Sequence, residues 1–288
     1  MDFVAVIAID ILESIATLVL ISIGLAIIFG MMKIINIAHG EFLMLGGYTV
    51  VLANKAGVNS WVAILVLAPL VVAAFGVIIE RFFLRFLYGR MVDTLLATWG
   101  LSMLMMGAVT VVFGNTQEGV EVPLGSFSVG QYRVSAYSIV LIAAALLALV
   151  AVYSVLRWTR LGLVARGTMQ NPAMAAALGI SPSFVYMLTF AIGAALSGLA
   201  GGLLAPTTGV VPSMGAAFIG QAFITVVTGG VAIVGGTGAA AALLGTISQI
   251  TTFLTTPVMG DVMLLFAAVV LLRLMPQGIA GRWLRSSL

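Results

Sequence analysis

Cysteine is absent from this chain, which excludes a disulfide framework and any thiolate metal site. Charge is almost as scarce. Asp, Glu, Lys and Arg make up 7% of the residues, against about 25% in soluble domains. With one histidine, few nucleophile–base pairs are possible, and no catalytic residue is assigned. The nearest string to an intramembrane serine-protease motif, Ala195-Leu196-Ser197-Gly198, lacks the first glycine of Gly-x-Ser-Gly. Only two lysines occur. Lys33 precedes isoleucine and Lys55 precedes alanine, so neither completes a Gly-x-x-x-x-Gly-Lys-Ser/Thr phosphate loop. Any ATP that drives this chain must be hydrolysed by a partner. Carboxylates within the apolar runs are too few to form an evident proton relay. The sequence calls for no cofactor and no metal. A net charge of +3, with its basic residues scattered through short loops, does not point to nucleic acid.

What the chain does have is apolar length. Of its 288 residues, 62% are hydrophobic, and the mean hydropathy is +1.25. Such a chain cannot cover itself with a water-compatible surface, so its solvent is lipid. In lipid only helices and closed barrels satisfy their own backbone. Barrel strands alternate apolar and polar residues, whereas the apolar runs here are unbroken and match a helix of about 20 residues. The fold class expected is all-α: a polytopic transmembrane bundle over 1–288, acting as a single domain. Spans are expected near 12–31, 42–54, 61–79, 92–113, 137–156, 184–205, 217–235, 238–256 and 260–275. The segment 42–54 is short and reads as half of a broken helix that begins near Lys33. The N-terminal stretch lacks a basic region and carries Asp2, Asp10 and Glu13, so it reads as a first span rather than a cleaved signal peptide.

Threading these spans alternately sorts the charges. Lys33, Arg81, Arg85, Arg90, Arg157, Arg160, Arg166, Arg273, Arg282 and Arg285 fall on one side, and only Lys55 and Arg133 fall opposite. The expected topology has the N-terminus outside and the C-terminus in the cytoplasm. The loop 115–136 is then external. Glycines crowd the second half, with a small-residue stripe at Gly193, Ser197 and Gly201. Tight helix packing is its first reading, and helix breaks near a transport path the second.

Three groups of residues are candidates for function. Lys33, Asn36, His39 and Glu41 fall within nine residues. Ionisable groups at the bilayer centre cost about 2.5–3.5 kcal/mol each, so this cluster belongs at an interface or lines a wet cavity. Gly40 is the expected helix breaker, with a new helix starting at Glu41. The readings open for Asn36, His39 and Glu41 are an interfacial turn, contact with solute, and gating. Gln221 and Thr225 lie one turn apart and face either a solute or a neighbouring helix. The stretch 164–180 predicts a short cytoplasmic helix, with Asn171 as N-cap, Pro172 as first helical residue and Gly179 after the end. Met174 and Leu178 share one face of it. That face either lies on the membrane or docks a partner.

Several strings resemble the permeases of branched-chain amino acid ABC importers. Asn36-Ile-Ala-His-Gly-Glu-Phe42 with Met44-Leu-Gly-Gly-Tyr48 is similar to that family's N-terminal signature. Thr94-Leu-Leu-Ala-Thr-Trp-Gly-Leu-Ser102 is similar to its fourth-span segment, and Arg166–Ile180 to its coupling-helix loop. Val227–Thr237 and Met275-Pro-Gln-Gly-Ile279 extend the resemblance almost end to end. It departs at Gly167-Thr168 and at Thr228-Gly229-Gly230, which leaves the substrate branch open. The resemblance implies a bacterial inner-membrane importer subunit, pairing with a second, related permease. Two cytoplasmic ATP-binding subunits would drive it, and a periplasmic or extracellular solute-binding protein would deliver the solute. It implies that Arg166, Gln170, Asn171, Met174, Leu178 and Gly179 couple the chain to an ATPase. The same family carries urea and short amides. A stand-alone channel or secondary carrier is the reading from a different class.

Overall fold

A computed structural model of the chain describes residues 2–121, 124–230 and 232–283. Of the positions used above, Val122 and Pro123 of the 115–136 loop, Val231 and Arg285 lie outside them. The helices are α1 Asp2–Met32, α2 His39–Lys55, α3 Ser60–Val62, α4 Ala68–Phe82, α5 Met91–Phe113 and α6 Ala136–Trp158. After these come α7 Arg160–Gln170, α8 Pro172–Ala177, α9 Pro182–Thr208, α10 Met214–Gly229, α11 Ile233–Leu254, α12 Pro257–Leu274 and α13 Ile279–Trp283. One π turn, Ala63–Leu67, joins α3 to α4 into a continuous apolar rod. Among the described residues, seven helices are long and apolar enough to cross a membrane. The protein is a polytopic helical membrane protein, as its composition requires.

Two helices fall short of the roughly 30 Å hydrocarbon core. At 1.5 Å per residue, the 17 residues of α2 and the 16 of α10 reach only about 25 Å. Both follow a local break. Between α1 and α2 the chain is non-helical over 33–38, and Lys33 adopts a left-handed φ of 54°. The break thus lies at Lys33, not at Gly40. Gly40 sits in the first turn of α2 because a Cβ there would lie 2.2 Å from the Gly215 carbonyl oxygen. The span expected at 217–235 ends at Gly229, since Gly230 has a φ of 79° and turns the chain into α11.

The chain forms two compact units. The first draws its described residues from Met1–Ile23, Val122–Leu149 and Gly220–Leu288; the second from Gly24–Glu121 and Val150–Ile219. In the second unit, α2, α4 and α9 form the core. Phe42 is fully buried there, edge-on to Phe75 at 6.0 Å and to Phe190 at 5.8 Å. Gly193 and Gly201 of the small-residue stripe meet α1 and α2 in this unit, so both serve close packing. In the first unit α11 packs on α12, and Gly245 lets Ile15 of α1 approach its backbone. The 115–136 loop contains a hairpin, with β1 (Ser126–Val129) antiparallel to β2 (Tyr132–Ser135) through a turn at Gly130 (φ 61°). Phe3 packs its ring against Tyr132 of that hairpin and Phe253 of α11.

Candidate transport site

The Asn36–Glu41 cluster belongs to the second unit and is buried. Asn36, His39 and Glu41 are each no more than 1% exposed, whereas Lys33 faces outward. A break in a helix at this depth frees backbone groups that must find partners. Thr98 of α5 supplies one. Its hydroxyl accepts from the Ile37 N–H at 3.1 Å and has the Ile35 and Leu95 carbonyls in reach of its own proton. One turn further along α5, Ser102 donates to Glu41 Oε1 at 3.0 Å.

Three polar groups in this cluster meet different fates. The His39 ring nitrogen Nδ1 lies 3.2 Å from Ser197 Oγ. Ser197 Oγ also donates to the Gly193 carbonyl at 2.8 Å. A hydroxyl has one proton, so with that proton on Gly193 the His39 Nδ1–H is the donor. Both residues are fully buried, and the pair acts as an interhelical tie rather than a nucleophile and base. By contrast, Glu41 Oε2 and both amide atoms of Asn36 are buried without a protein partner. Such groups cost about 1–3 kcal/mol each and call for an explanation. Gly215 shapes the same place, since a Cβ there would lie 2.7 Å from Glu41 Oε2.

The sequence reading passed over Thr98 and Ser102. Their signal was present as Thr94, Thr98 and Ser102, three buried hydroxyl residues four apart on an otherwise apolar helix. Ser102→Ala is expected to destabilise the protein by about 1–3 kcal/mol, because it leaves the Glu41 carboxyl with no donor. Thermal unfolding in detergent checks this. Ser102→Ala combined with Glu41→Leu should recover much of the loss, and an unchanged midpoint in Ser102→Ala would remove the bond from the account.

Gln221 and Thr225 lie in the first unit and do not act as a pair. Thr225 is fully buried and donates to its own helix at the Gln221 carbonyl, 2.7 Å away. Gln221 instead donates from Nε2 to Asp261 Oδ1 at 2.9 Å. It lines a cavity of about 340 Å³ together with Asp10, Glu13, Ser14, Thr17, Ser248, Gln249, Thr252 and Asp261. Three carboxylates, two amides and several hydroxyls converge there, and among the described residues no Lys or Arg lines it. Such a lining complements an ammonium group or a hydrogen-bond donor on a small solute. Asp10, Glu13, Ser14 and Thr17 follow the i, i+3, i+4, i+7 pattern of one helix face. Asp10 and Glu13 sit within α1 and Asp261 in the second turn of α12.

Outside the spans, α7 and α8 divide the 164–180 stretch at Asn171. Asn171 ends α7 and caps α8, its Oδ1 accepting from the Met174 N–H at 2.9 Å. Pro172 occupies the first turn, and Gly179 closes the helix with a φ of 84°. Met174 is 58% exposed and Leu178 74% exposed, while Ala175 faces inward. Gln170, Asn171 and Gly179 are exposed beside them. The Arg166 guanidinium donates to the Leu156 carbonyl near the end of α6, where a cation also suits the helix dipole, and so ties α7 to α6.

A family model described as the permease component of branched-chain amino acid transport systems matches residues 7–275. The chain belongs to this family. It is 30% identical to the high-affinity branched-chain amino acid transport system permease protein LivH of Salmonella typhimurium strain LT2, over 93% of this chain and 92% of that protein. The corresponding protein BraD of Pseudomonas aeruginosa is similar to the same degree over the same shares. A probable branched-chain amino acid transport permease of Methanocaldococcus jannaschii is 25% identical over 92% of this chain and 88% of that one. No solved structure matches at a comparable level of significance. The permease is thus a multi-pass membrane transport protein of a family whose members are not catalytic enzymes.

Proposed function

We propose that this permease is one membrane-spanning subunit of an ATP-driven importer for branched-chain amino acids or related amino acids. It works as one permease domain, with a second, related permease, two cytoplasmic ATP-binding subunits and a solute-binding protein on the outer face. Its N-terminus lies outside and its C-terminus in the cytoplasm of a bacterial inner membrane. The observation that carries the subunit reading is α8, a helix capped at both ends, outside the spans, with Met174 and Leu178 exposed. Met and Leu on an exposed face suit a docking contact. The chain also has no phosphate-binding loop, so force from ATP must enter through such a contact. The relatives' names support the solute class.

For the solute path, the first unit offers the cavity beside Gln221 and Asp261, and the second offers the unpartnered atoms of Asn36 and Glu41. Thr225 and His39 support these places from the neighbouring turn and helix. Liposomes holding the permease with its three kinds of partner are expected to accumulate labelled leucine, isoleucine or valine only when ATP is supplied. Solute flux of equal rate through liposomes holding this chain alone, without ATP, would favour a channel or carrier and sink the proposal. Uptake of urea in place of amino acids would overturn the solute class and leave the subunit reading standing.

A further inference from the structure

A cavity of about 610 Å³ lies within the second unit, among α1, α6, α7 and the start of α9. Met31, Val155, Leu161, Phe184, Leu188 and Ile192 are typical of its walls, and Arg160 is its one charged residue among those described. Three observations say what fills it. First, the cavity opens outward: Met31 and Val152 are buried at its back, while Leu161 is 54% exposed and Phe184 58%. The protein spans a membrane, so an outward-facing carbon-lined cavity meets lipid rather than water. Second, residues of the membrane–water boundary type stand at one end of the cavity. Trp158 ends α6, is 75% exposed and packs edge-on to Tyr153 at 5.9 Å. Aromatic rings and basic residues gather at that boundary, and here Arg157 and Arg160 flank Trp158.

Third, the charge at the rim is uncompensated. No carboxylate lines the cavity, and the ion pairs found among the described residues, Lys55–Glu118 and Arg90–Asp93, involve other residues. Arg160 is the first residue of α7, where Thr159 caps the Gly162 N–H and the helix dipole adds positive potential. A guanidinium matches two phosphate oxygens at once. Carbon walls below one free guanidinium fit an amphiphile with a phosphate at its head. The size agrees, since pockets for single small molecules run about 300–1,000 Å³, whereas a docked protein buries about 800 Å² of each partner.

We propose that this cavity binds one membrane phospholipid, with an acyl chain against Val155, Phe184 and Leu188 and the phosphate on Arg160. The lipid holds α7 against α6 and α9, and α8 follows directly from α7. Native mass spectrometry of the full-length permease, titrated with dioleoyl phosphatidylglycerol, reads this directly and does not depend on the transport proposal. One lipid per chain is expected to survive release from detergent. Arg160→Ala should weaken retention about tenfold, the size of one charge-assisted hydrogen bond. Ala165→Phe, which fills the cavity, should abolish it, and Ala151→Phe on α6 repeats that test if the first variant does not express. Arg85→Ala, an exposed basic residue outside the cavity, should behave as wild type. Equal retention in wild type, Arg160→Ala and the cavity-filling variant would overturn the proposal. So would equal losses in Arg160→Ala and Arg85→Ala, or a retained mass that proves to be protein rather than lipid.

Discussion

Gly201→Val is expected to leave little folded permease, with detergent-solubilised protein lost to aggregation before size-exclusion chromatography. The reason is backbone proximity. A Cβ at Gly201 would stand 1.8 Å from the Leu43 carbonyl oxygen and 2.6 Å from its carbon. Neither atom belongs to a side chain that can rotate away. To admit the extra carbons α2 and α9 must separate, and the Phe42 ring cluster between α2, α4 and α9 must open with them. Gly198 repeats the contact one turn earlier, where Gly46 faces its carbonyl. Overpacking costs about 1–3 kcal/mol in ordinary cores and more where the backbone itself is the obstacle. Lipid offers no compensating drive between helices, because tails are as apolar as side chains. Gly238→Ala is the contrasting case. Its Cβ would meet Leu149 at 3.8 Å, an ordinary contact, and alanine is the better helix former by about 1 kcal/mol. That variant should express normally and melt at the same temperature or slightly higher. Equal melting midpoints for the two variants would remove close approach as the reason for Gly201.

Met174→Asp combined with Leu178→Asp is expected to abolish association with the ATP-binding subunits while leaving the permease itself intact. Both side chains are exposed, Met174 on α8 and Leu178 at its C-cap, and the caps use only the backbone of these two residues. The fold should therefore tolerate the change. A docked partner would not, since two carboxylates would be stripped of water against an apolar groove. Hot-spot truncations cost about 2 kcal/mol or more each, so a loss of affinity beyond about a hundredfold is expected from the pair. Copurification on an affinity-tagged permease and ATP-driven uptake should both fail, with the permease's own melting curve unchanged. Retained copurification and uptake in the double variant would remove α8 as the coupling element.

Much of this molecule was legible along the chain. Composition alone demanded helices in lipid. Hydropathic length located the long spans, with ends within a few residues of Ser60, Met91, Ala136 and Pro182, and with Asp2 as the early exception. The caps of α8 were readable because Asn171, Pro172 and Gly179 act within a turn of themselves. What was not legible depends on packing. Gly40 permits a break by its own flexibility, but it is a contact residue facing Gly215. Gln221 and Thr225 share a helix, and only packing decides that Gln221 reaches Asp261 on a neighbouring helix while Thr225 bonds its own backbone.

The sequence by itself determined which segments are helical, which are apolar enough for lipid, and where local caps start and stop them. Those properties depend on residues within one or two turns of each other. Only the tertiary structure decided the partners of the buried polar groups. Ser102 and Glu41 are 61 residues apart in the chain, and Ser197 and His39 are 158 apart. Their pairing follows from which helix faces pack together. In lipid that choice rests on the shape of small residues and on hydrogen bonds between helices; spacing can mark such a face, as at Gly193, Ser197 and Gly201, but does not say which helix it meets.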